Sequence, residues 1–413
     1  MDIINLIKIT KKYGLKHTTG RALRKLAHIL ENSNLQGKMK INTKKSFHSI
    51  VKRVDVMNVD WTDNPYSNNK KIKNRSNIIC WVISPPSQGG GHQNMFRFIE
   101  HLDISGYINK IYLYSAVDKM TTEEAQINVS KYAKLTNATF HYYQKDDIDK
   151  SMPDAIFATG WETCYPVFNI KTSAKKLYFI QDYEPYFYPV GTEYLMAENT
   201  YKFGFYGVTA GKWLARKLRL EYGMHCDYYN FGSDHNIYKY ENDKERKEVF
   251  FYARPSTERR AFDLGIMTLE IFHRKNPEYT INLAGWDVSS YDIPFPYVNH
   301  KILNLNELNK LYNKCAVGLV ISLTNMSLLP LELLSSGAIP VVNDGDNNRQ
   351  VTSNNYIKYT FASPLSLAQA MCDVLKQKNL KEYSKEASKS TSINSWSISK
   401  QKFQKIIEKE IYG

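Results

Sequence analysis

The sequence predicts an α/β protein of two Rossmann-like, doubly wound domains that face a central cleft, with a helical N-terminal extension. Three observations predict it. At 413 residues the chain is too long for one ordinary core. Short apolar, β-branched runs alternate with amphipathic stretches, which is the pattern of parallel strands joined by crossover helices. That alternation runs twice, broken near residues 235–247 by the charged segment ENDKERKE. Hydrophobic residues at 43% and aromatics at 13% suffice for two packed interiors and exclude global disorder. The expected divisions are an extension and linker over 1–75, a first domain over 76–235, a second over 236–393, and a closing helix over 394–413 that crosses back.

In residues 1–33, Ile3, Ile4, Leu6, Ile7, Leu15, Leu23, Leu26, Ile29 and Leu30 recur at helical spacing. Residues 1–53 hold 13 Lys+Arg against only Asp2 and Glu31, so they carry +11 of the formal +14 and leave +3 for the other 360 residues. A basic leader on a near-neutral body points to an anionic partner, a membrane surface or nucleic acid. A helix packed on the body with solvated lysines is the plainer reading. Residues 34–75, rich in Asn and Lys, read as a linker with local order. No apolar run approaches the roughly 18–20 residues of a membrane span, and no signal-peptide core is present. A cytoplasmic chain is therefore expected, peripheral at the inner face of the cell membrane if the leader binds there. The five cysteines are scattered without a CxxC, a reduced pattern with neither disulfide frame nor zinc site.

The first domain opens with IICWVIS from Ile78, followed by PPSQGGGHQNMFRFIEHL, a glycine loop opening a helix. Strands follow over Lys110–Ser115, Ala138–Tyr142, Asp154–Ala158, Lys176–Gln181 and Phe203–Thr209. The second domain opens with a strand over Val249–Ala253 and a helix through Leu264, Leu269 and Phe272. TINLAGW, a strand over Val298–Leu303 and a helix over Leu305–Lys314 come next. The stretch from Ile321 to Asn343, ISLTNMSLLPLELLSSGAIPVVN, reads as a strand end, a polar loop, a short helix and a second strand. Pro330 suits the first helical turn, where its missing donor costs nothing, and Gly337 suits the C′ position. A helix over Pro364–Leu375 follows, and Phe403, Ile406, Ile407 and Ile411 mark an apolar face at the C-terminus.

Four constellations carry chemistry. Gly89-Gly90-Gly91-His92 brings backbone and an imidazole to a helix start, where an anion is favoured; no GxGxxG or GxxxxGK[ST] accompanies it. Arg254, directly after a strand, with Arg259 and Arg260 on the next loop, suits a diphosphate, because guanidinium offers paired donors. Lys301, at the end of another strand, is a candidate for the same cluster. Glu332 suits sugar hydroxyls and the backbone of Ser327, Leu328 and Leu329 suits phosphate, with Asn325 on the same loop. In FIQDYEPYFYP, Gln181, Asp182 and Glu184 are interleaved with Tyr183, Tyr186, Phe187 and Tyr188, a composition found in carbohydrate clefts.

From these residues the chain resembles the family-4 retaining glycosyltransferases of the GT-B fold, in particular the WsaF-like rhamnosyltransferases that build rhamnan and surface-layer glycans. YARPSTERRAFDL is similar to the family's Gly-Arg strand end followed by Lys-Gly, with Ala253 and Arg260 departing from it. Asn230-Phe231-Gly232-Ser233-Asp234 is similar to its NGVD turn, and LLSSGAIPVV to its AxGxPVV. The Glu-x7-Glu signature falls on Thr324 and Glu332, so its first glutamate is missing. The resemblance covers residues 78–411 and is strongest from 249 to 345. It implies that the second domain holds dTDP-L-rhamnose, with Arg254, Arg260 and Lys301 on the diphosphate and Glu332 on the deoxyribose. It implies an acceptor glycan, lipid-linked, near His92, Asp182 and Glu184, and a donor contact from Gly90 and Gly91. No metal and no cofactor is expected: DGD at 344–346 is a DxD match, but it follows the last Val-Val strand. Nucleic acid is not expected as a partner. A non-catalytic glycan- or nucleotide-sugar-binding protein, or a transferase using another nucleotide sugar, is the alternative.

Overall fold

The computed structural model describes residues 51–67, 71–87, 89–117, 120–352 and 354–413. The helix expected over 1–33 and the basic leader to residue 50 lie outside them. The described residues other than Ser289–Asp292 belong to one compact unit. That unit carries both sheets.

The first sheet contains β1 (Ile78–Ile83), β2 (Ile108–Leu113), β3 (Ala138–Tyr142), β4 (Ala155–Ala158), β5 (Lys175–Ile180), β6 (Tyr206–Ala210) and β7 (Cys226–Tyr229). Its order is β3-β2-β1-β4-β5-β6-β7, and every pairing is parallel. The second sheet contains β8 (Glu248–Tyr252), β9 (Thr280–Ala284), β10 (Val298–Asn299), β11 (Cys315–Val320), β12 (Ile339–Asn343) and β13 (Lys358–Thr360). Its order is β10-β9-β8-β11-β12-β13, again all parallel. Each sheet reverses direction at one place, between β1 and β4 and between β8 and β11. Open α/β sheets bind ligands in the crevice beyond the carboxyl ends of such a strand pair.

Helices in chain order are α1 (Arg53–Met57), α2 (Gly90–Ile104), α3 (Thr122–Ser130), α4 (Lys145–Lys150), α5 (Trp161–Phe168), α6 (Thr192–Asn199) and α7 (Lys212–Tyr222). They continue with α8 (Phe262–Lys275), α9 (Leu305–Tyr312), α10 (Leu329–Ser335), α11 (Asp346–Arg349), α12 (Pro364–Leu375), α13 (Leu380–Lys389) and α14 (Trp396–Tyr412). The central strands β1, β4, β5 and β11 are buried almost throughout, as continuous apolar runs flanked by helices on both faces must be. β7, with the sequence CDYY, carries no apolar run; it is an edge strand held by pairing with β6. Gly337 takes φ +85°, the left-handed cap that ends α10, and Pro330 sits in that helix's first turn.

Residues 51–67 and 71–75 lie along the first sheet's domain rather than hanging free. Tyr66 donates its amide to Phe203 O at 2.9 Å and its hydroxyl to Ala174 O at 3.1 Å, and Tyr114 donates to Asp55 at 2.8 Å. The closing helix α14 also packs there: Phe403, Ile406, Ile407 and Ile411 enter one core with Ile79, Trp81, Phe98, Phe157 and Phe179. Lys175 pairs with Glu410 at 3.3 Å, and Tyr412 donates to Asp154 at 2.7 Å. Gly232, in the connection between the sheets, has room for no side chain, because a Cβ there would come within 2.7 Å of Trp396 N.

Candidate functional site

The carboxyl ends of β8 and β11 are knitted together by the arginine loop. After β8 the chain passes Arg254 and forms a single 3-10 turn, Glu258–Arg260. Arg260 donates to Ser322 Oγ at 2.6 Å, and Leu323 donates its amide to Arg259 O at 3.1 Å. Burial lowers the Arg260 pKa, and the neighbouring Arg259 and Arg254 push it further in the same direction, while Asp182 and Tyr252 oppose. Arg254 reaches only the Tyr252 hydroxyl, at 3.4 Å, and has no carboxylate partner among the described residues. Three cations thus crowd one strand end, a placement that suits an anion.

The β11 loop itself is held rigidly from below. Ser322 donates its amide to Asn343 Oδ1 at 2.7 Å, and Asn343, Asn347 and Asn348 all donate to Ser322 O, at 2.9 to 3.1 Å. Asn347 also donates to Thr324 O. Asn343 ends β12, and Asn347 and Asn348 follow it in the DGDNNR segment, so this stretch clamps the loop. Asp344, the first acid of its DxD, is bound to Arg349 at 2.9 Å through Nη2. The amides of Ser327, Leu328 and Leu329 take no backbone acceptor among the described residues.

Glu332 lies half-buried in the first turn of α10. Its carboxylate has no hydrogen-bond partner among the described residues. Burial pushes its pKa up to about 7; Arg97 of α2 opposes this and Asp234 adds to it. Arg97 stands 3.7 Å from Asp234 and lies over the Trp396 ring, and its Nε has no partner. An unbonded acceptor and an unbonded donor thus come from opposite domains.

The first sheet contributes His92, Gln181 and Asp182. His92, in the first turn of α2, is held between Ser84 Oγ at 3.4 Å from Nε2 and Ser87 Oγ at 3.3 Å from Nδ1; burial lowers its pKa, so the ring is neutral at neutral pH. Gly90 and Gly91 are helical rather than loop residues, and Gly91 O accepts from Gln181 at 3.1 Å. Asp182, after β5, reaches across to the β11 loop: it accepts from Thr324 Oγ1 at 2.9 Å and from the Asn325 amide at 2.8 Å. Asn325 donates to Gln181 O at 2.9 Å and Ala210 O at 2.8 Å, which ties the two sheets' ends together.

Two expected site residues are placed elsewhere. Glu184 is 7% exposed and turns inward, accepting from the Trp161 amide at 2.6 Å at the start of α5. Burial, reinforced by the nearby Glu162, raises its pKa well above the usual carboxylate value, and its side chain serves the start of α5. Lys301 follows the outer strand β10, which pairs only over Val298–Asn299; there the backbone turns to φ +55°, and the exposed amine pairs with Asp287 at 3.2 Å. It does not join Arg254 and Arg260. Sequence reasoning missed Arg97 and the DGDNNR clamp. The asparagine that ends β12 and the pair in DGDNNR were the available signal for the latter; Arg97 gave none, being one cation within an amphipathic helix. Among the described residues, no group of three or more His, Cys, Asp or Glu side chains could hold a metal ion, and no helix is long and apolar enough to cross a membrane.

The sequence matches the domain family described as "WsaF, N-terminal domain" over residues 98–209 and "WsaF, C-terminal domain" over 247–372. Together the two matches span more than half of the chain. It is 33% identical over 202 residues to the O-antigen biosynthesis protein RfbC of Myxococcus xanthus, a match covering 48% of this chain but 16% of that much longer protein. Its fold is similar to sucrose-phosphate synthase from Thermosynechococcus elongatus, at TM-score 0.61 and 12% identity over 80% of this chain and 98% of that one. It is similar also to Anabaena HepE, solved with UDP and glucose, at TM-score 0.62 and 13% identity over the same shares of the two chains. With two doubly wound sheets, a charged crevice at the switch point of the second and both halves of the family matched in order, the chain belongs to the WsaF-like glycosyltransferases of the GT-B fold.

Proposed function

We propose that this glycosyltransferase moves L-rhamnose from dTDP-L-rhamnose to a hydroxyl of a growing, lipid-linked surface glycan, with retention and without a metal. The observation that carries the reading is the crevice at β8 and β11: three arginines, of which only Arg259 comes within ion-pair distance of a carboxylate among the described residues, beside a Glu332 whose carboxylate is unbonded. In this reading Arg254 and Arg260 take the diphosphate, and Glu332 the deoxyribose. Neutralising the diphosphate as it departs replaces metal catalysis, and the departing oxygen takes the acceptor's proton. His92, neutral and fixed by two serines, orients the acceptor hydroxyl. The likeness to an O-antigen biosynthesis protein supports a polysaccharide product. Peripheral contact of residues 1–53 with an anionic membrane belongs to the same proposal.

The test is turnover of dTDP-L-rhamnose on a rhamnose-terminated acceptor, in EDTA, beside calorimetry with TDP, UDP and GDP. Full activity in EDTA and tightest binding of TDP are expected. An absolute Mn²⁺ dependence would overturn the metal-free reading; preference for UDP or GDP would move the donor assignment; binding without turnover would leave a nucleotide-sugar-binding protein.

Glu332 makes a pH prediction. Its native pKa, about 7, lies above the ordinary 4.5, so the folded protein holds a proton that the unfolded chain gives up. This group therefore costs stability progressively as pH rises from 4.5 through 7. An ionised carboxylate accepts two hydroxyls where the acid loses an acceptor. Nucleotide affinity is thus expected to rise with pH up to about 7, and Glu332→Gln to flatten that rise. Parallel affinity profiles for wild type and variant, measured by calorimetry, would remove Glu332 from the site.

A further inference from the structure

Asp182 is the carboxylate presented to the arginine cluster, and it comes from the opposite domain. Its acceptor positions are unequally filled. Oδ1 accepts from the amides of Tyr183 and Asn325, both at 2.8 Å. Oδ2 accepts from Thr324 Oγ1 at 2.9 Å. The remaining position on Oδ2 meets only Arg259 Nε at 3.5 Å, too long for a hydrogen bond, and that Nε has no other partner. The Asp182 side chain is 13% exposed, so water does little to satisfy that position. Asp182 Oδ2 therefore faces the proposed diphosphate cations with one acceptor position poorly filled. A hydroxyl donor satisfies that position, whereas another anion does not.

We propose that Asp182 reads a hydroxyl of the transferred sugar from across the cleft. The inference rests on the reading of Arg254 and Arg260 as diphosphate ligands. When the diphosphate draws the Arg259 guanidinium to itself, the Oδ2 position is released to a sugar hydroxyl. Because Asp182 belongs to the first sheet's domain and the cations to the second's, the sugar is recognised only when the two domains are together. Nucleotide binding and sugar recognition are thereby separable.

Calorimetry with TDP and with dTDP-L-rhamnose tests this on wild type, Asp182→Ala, Asp182→Asn and the double variant Asp182→Ala/Thr324→Glu. Thr324 Oγ1 lies 2.9 Å from Asp182 Oδ2, so a glutamate at 324 returns a carboxylate to the same place from the other domain. TDP affinity is expected to stay within about threefold throughout. The ratio of dTDP-L-rhamnose to TDP affinity is expected to fall about 10- to 100-fold in Asp182→Ala, the value of one charge-assisted hydrogen bond, and to recover at least in part in the double variant. Asp182→Asn, which keeps an acceptor for the two amides, carries the same test if the alanine variant unfolds. An unchanged ratio in the Asp182 variants would overturn the proposal, as would a fallen ratio that the relocated carboxylate does not raise. A wild type that binds no TDP would instead overturn the donor reading beneath it.

Discussion

Arg254→Ala is expected to weaken nucleoside diphosphate binding by about 100-fold or more while leaving the unfolding midpoint unchanged or slightly raised. The guanidinium offers two donors to phosphate oxygens, each charge-assisted bond being worth roughly 1.5–3 kcal/mol. In the free protein it contributes little to the fold. It has no carboxylate partner among the described residues and a single 3.4 Å contact to Tyr252. It also repels Arg260, as the depressed Arg260 pKa records after burial, its larger cause. Arg254→Lys is expected to recover only part of the loss, because an ammonium is a point charge without the paired donors. Calorimetry with TDP and with thymidine separates the effects: thymidine binding should be untouched. A normal TDP affinity in Arg254→Ala would place the phosphates elsewhere.

Phe403→Ala is expected to cost about 3–5 kcal/mol of stability, read as a fall in the urea midpoint. The ring is fully buried, with centroids 4.7 Å from Phe98, 5.9 Å from Phe179 and 6.0 Å from Phe157. The last helix thereby belongs to the first sheet's core although it follows the second sheet in sequence. Beside it the connection passes Gly232 and Ser233, where the Ser233 amide donates to Asn394 O at 2.8 Å. Loosening α14 frees this connection, so the variant is also expected to bind nucleotide less tightly. A midpoint within error of wild type would mean that α14 is not integral to that core.

Local pattern made much of this protein readable. Apolar runs marked eleven of the thirteen described strands within a few residues: β1, β4, β5 and β11, buried on both faces, were plain, whereas β7 and β13, edge strands of CDYY and KYT, carried no pattern. Pro330 and Gly337 bracketed α10 because a missing donor and a positive φ are local requirements. Arg254 and Glu332 were legible because the positions after a strand end and in a first helical turn are fixed by the element itself.

Side-chain direction at the site was a different matter. Glu184 and Asp182 stand two residues apart in one motif, yet one is sealed at the start of α5 and the other crosses to a loop 142 residues away in sequence. Lys301 looked like Arg254, a cation after a strand, until the order of the sheet put its strand on the outer edge. The sequence by itself determined that two doubly wound sheets form, where each strand ends, and which cations and carboxylates those ends carry, because backbone conformation and burial are set by neighbours a few residues away. Only the tertiary structure decided which of those groups meet, since the pairing of Asp182 with Thr324, and of Arg97 with Asp234 beside Glu332, depends on how two separately wound sheets pack, and no local pattern encodes that.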